Sequence, residues 1–104
     1  MQYPHSQLPT RAVFASVVNS TFGVRQRDGE PVEFTLVECK SHISNEQQEC
    51  YSLLFRGPVD QPPIQDTYKL NNEQLGEMEL LLVPVKRDEG GIYFEAVMNH
   101  LLKR

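Results

Sequence analysis

Cys39, His42 and Cys50 fall within the single stretch CKSHISNEQQEC, which offers two thiols and an imidazole. Three kinds of chemistry suit that set. A structural zinc site needs four ligands and usually a C-x2-C knuckle, and this stretch supplies three ligands without the knuckle. A cross-strand disulfide needs directly opposed cysteines in an oxidising compartment, and such pairs are often strained. The third reading is a pair of free thiols near a hairpin tip, and it carries the most weight.

A second group of residues surrounds FRGPVDQPPIQDTY. Arg56 ends an apolar run just before Gly57-Pro58, with Asp60 close behind. An arginine so placed can grip a carboxylate or phosphate through two parallel hydrogen bonds, or it can pair with an acid of its own chain. Asp60, Asp66 and Glu95 are the acids to consider, and internal pairing is the preferred reading. Gln65, Tyr68, Glu95 and Asn99 are polar positions in or beside apolar strands. Either they line a polar pocket or they face water from half-buried strands. Glu95, inside IYFEAVM, needs solvent or a partner, and Arg56 is the partner to test.

Catalytic ingredients are thin. The sequence contains no G-x-S-x-G, H-E-x-x-H, P-loop or G-x-G-x-x-G motif. His5, His42 and His100 are not placed beside an obvious nucleophile and orienting acid. No catalytic residue, metal ligand or cofactor is assigned.

The elements that must position these residues are mostly strands. Residues 1–9 carry two prolines and no periodicity, and read as a flexible arm ahead of one compact β-domain over 10–104. In TRAVFASVVNSTF, Val13, Phe14, Val17 and Val18 share one helical face. Thr10 is the candidate N-cap through its hydroxyl, and Asn19 suits the left-handed residue that closes a helix. From Phe22 onward the period is two. TFGVRQ, VEFTLVEC, CYSLLFR, DTYKLNN, MELLLVPV and IYFEAVM read as about six strands, joined by turns at RDGEP, CKSHISNEQQEC, GPVDQPP and KRDEGG. Connections this short imply antiparallel pairing. ELLLVPV is apolar on both faces, as in a central strand or a closed sheet, and Pro84 within it demands a bulge. The predicted fold is therefore mainly β, with one short N-terminal helix and six antiparallel strands in a small barrel or two-layer roll. Pairing residues 32–56 so that numbers sum to 89 sets Phe34 against Phe55 and Leu36 against Leu53. The same register sets Cys39 opposite Cys50.

Composition narrows the partners. The 104 residues carry a net charge of −4, and the basic residues are scattered singly or in pairs. That disfavours nucleic acid and anionic membrane, which require clustered cations. No apolar run approaches the ~20 residues of a membrane span. The N-terminus lacks a basic region followed by an apolar one, and two cysteines do not make a disulfide scaffold. A cytoplasmic protein with reduced thiols is the expectation.

YSLLFRGP, QDTYKLNNEQLGEMELLLVPV and GIYFEAVMN resemble the pattern F-S-L-L-F-R-G-P, Q-x-x-Y, L-G-x-x-x-L-x-L-V-P and Y-E-A-V-F-N of an uncharacterised bacterial family of about this length, a domain of unknown function. The resemblance covers roughly residues 12–99. This chain departs from the pattern at Tyr51, Phe94 and Met98, each an apolar or aromatic exchange. The resemblance implies a bacterial source and a compact β-domain, and it supplies no activity. The first functional expectation is a non-catalytic protein-binding or accessory module of a bacterial protein assembly. Its candidate interaction or pocket residues are Arg56, Asp60, Gln65, Tyr68 and Glu95, and its partner is another protein or a second copy. The alternative is a small-ligand-binding β-barrel, with an unrecognised enzyme third.

Overall fold

The computed structural model describes residues 9–25 and 29–101. They form α1 (Arg11–Ala15), β1 (Thr21–Arg25), β2 (Pro31–Ser44), β3 (Gln48–Gly57), β4 (Asp66–Asn72), β5 (Gly76–Asp88) and β6 (Gly91–Leu101). All pairings are antiparallel, and the single sheet closes into a ring in the order β1-β2-β3-β6-β5-β4. The fold is thus mainly β with one short helix, as the alternating pattern implied. The arm read over 1–9 lies outside the described residues except for Pro9.

Closure depends on strands long enough to serve two neighbours. β2 pairs with β1 through residues 31–35 and with β3 through 35–44. β5 pairs with β4 through 76–82 and with β6 through 83–88. The corner in β5 falls at Pro84, where the register shifts before Lys86. A bulge there is the place where a missing N–H does least harm.

Inward-facing residues fill the ring. Phe22, Phe34, Leu36, Leu53, Phe55, Leu70, Leu82 and Phe94 are all essentially inaccessible to water. The Phe34 and Phe94 rings stack at 5.3 Å, and Phe22 meets Phe55 edge-on at 5.1 Å. Such pairs contribute beyond their buried area. Buried Asn72 is satisfied on both ends of its amide: it donates to Ser20 Oγ and Thr21 O and accepts from the N–H groups of Gln74 and Leu75. A buried amide left unpaired would cost free energy instead.

The helix buries Phe14, and Val17 just beyond it is buried too. Val13 faces solvent. Thr10 takes the extended N-cap conformation, yet its side chain makes no capping bond, contrary to expectation. The hold comes from tertiary contacts. Tyr51, buried beneath Phe14, donates its hydroxyl to Pro9 O at 2.8 Å. Glu49 accepts the Arg11 N–H and faces Arg11 Nε at 3.7 Å. Asn19 adopts the left-handed conformation (φ 78°) expected of it, but the helix has already ended at Ala15 with Ser16 as its C-cap, so Asn19 does not close it. Tyr51→Phe is expected to cost about 1–2 kcal/mol, because it leaves a buried carbonyl without its donor. Urea denaturation checks this, and a loss below about 0.3 kcal/mol would remove the bond from the account.

The β2–β3 register departs from the one predicted. Leu36 lies opposite Phe55, and shifts after Leu36 and after Ser41 then set Cys39 opposite Leu53 and Cys50 opposite Ile43. Each bulge inserts a residue and moves every later pair. The stretch read as a turn is also mostly strand. Only the segment around Asn45 turns, with the Asn45 side chain accepting the N–H groups of Gln47 and Gln48.

Candidate functional site

The predicted thiol chemistry is not assembled. Cys39 shares the inner face with Leu53, its cross-strand partner, whereas Cys50 alternates with Tyr51 onto the outer face. Both are free cysteines, and no metal-ligating cluster exists among the described residues. Cys39 donates to Arg11 O, and burial pushes its thiol up, with Arg11 opposing and Glu49 adding to the shift. A thiol held protonated is a poor nucleophile. Tyr51 is held far above its ordinary range, first by burial and then by Glu49 and Cys39.

His42 Nε2 lies 3.0 Å from Ser52 Oγ, a nucleophile–base contact that the sequence reading missed because the two residues sit on different strands. Among the described residues no carboxylate orients the imidazole, and the pair lies on the outer face of the sheet. It lacks the third member and the enclosure that such catalysis needs. His5 and the side chain of His100 lie outside the described residues.

Arg56, Tyr68 and Glu95 do not converge. Tyr68 faces inward, its ring 6.0 Å from Phe34 and 5.7 Å from Phe94. Arg56 and Glu95 occupy outward positions, opposite Tyr93 and Leu54 respectively. Among the described residues no ion pair joins Arg56 to Glu95. The Arg56 side chain instead runs past Gly90 and Gly91. Beside it, Lys86 Nζ stands 4.6 Å from the centre of the Tyr93 ring.

What the structure does build is the loop between β3 and β4, residues 58–65. The Gln61 N–H bonds to Pro58 O, closing a turn, and the Ile64 N–H bonds to Pro62 O. The Tyr68 hydroxyl donates to Ile64 O. Arg87 reaches across from β5 and donates to Val59 O and to Gln61 O. Gln61 itself is buried. Prolines restrict the chain further by fixing φ. The loop is therefore held from inside, and it presents Val59 and Ile64 at about half exposure (52% and 53%) together with exposed Asp60, Pro62, Pro63 and Gln65. Arg87 was missed in the sequence because KRDEGG reads simply as a hairpin turn. The available signal was the proline segment itself, whose carbonyls lack a strand partner and need a donor.

A separate half-open groove of about 350 Å3 lies over β1, β4 and β5, where Gly23 leaves a gap among Arg25, Lys69, Asn71, Glu77 and Glu79. It includes none of the residues singled out from the sequence.

No helix among the described residues is long and apolar enough to cross a membrane. The chain belongs to the family described as a domain of unknown function, DUF6916, which matches residues 9–98. No curated protein and no solved structure matches it.

Proposed function

We propose that this member of the DUF6916 family is a non-catalytic protein-binding module whose docking surface is the 58–65 loop. The observation that carries this reading is the bracing of the loop by Arg87 while Val59 and Ile64 remain exposed. A segment ordered before binding loses less conformational entropy when its partner arrives. Exposed apolar side chains flanked by polar ones are the usual anatomy of a recognition patch. Of the residues named from the sequence, Asp60 and Gln65 lie on this surface, Tyr68 anchors it from beneath, and Arg56 leads into it. Glu95 plays no part. Two free cysteines held on opposite faces, with no disulfide between them, suit a reducing, cytoplasmic setting.

The test is affinity capture from lysate of the source cells with the tagged full chain and an Ile64→Asp variant, read by mass spectrometry. One dominant protein captured by the wild type and lost with Ile64→Asp, at equal expression and melting temperature, is the expected outcome. Equal capture by both would move the docking surface elsewhere on the molecule.

A further inference from the structure

β6 pairs with β3 along its whole length, from Gly57↔Ile92 to Gln48↔Leu101, without a register shift. On its other side β5 accompanies it only as far as Val83↔Glu95. Among the described residues, no strand lies against 96–101 on that side. An antiparallel strand turns the N–H and C=O of every second residue to each side, so this edge offers a row of backbone donors and acceptors.

The sheet has another open edge, on β2 beyond Glu38, and that one is guarded. Its ladder is broken by two register shifts, and it carries Glu38 and Lys40. Bulges and edge charges are the devices that keep strands from pairing with another chain. The β6 edge has neither. Residues 96–101 read AVMNHL, with no acid, lysine, arginine, proline or glycine. On its outer face, Val97 is 67% exposed.

We propose that this edge pairs with the same edge of a second copy, joining two chains through an antiparallel ladder about a two-fold axis near Met98. The choice of a second copy rests on charge. The chain carries a net charge of −4, yet this edge brings no like charges together. A two-fold contact is self-complementary by construction. With the axis at Met98, outward residues meet outward residues: Val97 of each copy sits against Asn99 of the other, which shields its exposed side chain.

Sedimentation of the full chain over the micromolar range tests the pairing, with amide exchange at 96–101 as a second readout. The wild type should move from 12.0 kDa toward twice that mass as concentration rises, and these amides should exchange more slowly in step. Val97→Lys places two cations diagonally across the axis and should weaken self-association by about tenfold or more, with an unchanged circular dichroism spectrum. A 12.0 kDa species throughout overturns the proposal. If its 96–101 amides are nevertheless protected, the edge is covered within one chain. A dimer indifferent to Val97→Lys, or open growth beyond two copies, overturns it equally.

Discussion

Gly91→Ala should lower the melting temperature by about 15 °C or leave no folded protein, since about 3 kcal/mol or more is at stake and each kcal/mol moves a domain of this size by about 4–8 °C. Two independent facts set that expectation. Gly91 has φ +146°, a conformation that side chains rarely adopt, and a Cβ there would lie 2.1 Å from Gly57 O. The obstacle is backbone of the neighbouring strand, which cannot swing aside as a side chain can. Gly57 pairs with Ile92 in the same ladder, so any retreat breaks the β3–β6 pairing where the 58–65 loop begins. Gly23→Ala is the control. A Cβ at Gly23 meets only Asn71 O, at an ordinary 3.7 Å, and the stability change should stay within about 0.5 kcal/mol. Thermal melts followed by circular dichroism compare the two, and a Gly91→Ala midpoint near that of the wild type would contradict the close approach described.

Phe34→Ala is expected to cost about 3–5 kcal/mol, the usual range for emptying a buried aromatic site. Phe34 is fully buried, stacks on Phe94 and touches Tyr68. Its ring also lies so close to Gly57 that a Cβ added there would come within 2.7 Å of it. The residue thus supports both the interior of the ring and the floor beneath the loop, since Tyr68 carries the hydroxyl that holds Ile64 O. Urea denaturation measures the loss through a lower midpoint at an unchanged slope. Phe34→Leu should recover more than half of it by refilling part of the volume. Equal losses in the two variants would mean that packing at this position is not the source of the effect.

The strands and their inward faces were legible because alternation survives in the residues that pack. Phe34, Leu36, Leu53, Phe55, Phe94 and Leu70 all point where a period of two places them. The register was not legible, because a bulge leaves no mark on composition. Val37 is as apolar as any ladder residue, yet the pairing shifts beside it and carries Cys39 away from Cys50. Residues 40–44 passed for a turn because all but Ile43 are polar, and nothing in a single sequence separates an exposed strand from a loop. The opposite placement of Arg56 and Tyr68 could have been read. Arg56 follows inward Phe55 and therefore faces out, while Tyr68 alternates in step with inward Leu70. The proline segment signalled that some donor must reach its carbonyls, but carbonyls carry no residue signature, so Arg87 on a distant strand could not be named as that donor.

Docking on residues 58–65 requires a loop held in place before any partner arrives, and amide exchange of the free protein measures that directly. Gln61 and Ile64, whose N–H groups bond within the loop, should exchange at least about tenfold more slowly than in an unfolded chain. In Arg87→Ala their protection should fall away while the β3 and β6 amides keep theirs. Exchange of both loop amides at the unfolded-chain rate in the wild type would contradict the account, because a loop that moves freely offers no ordered surface for docking.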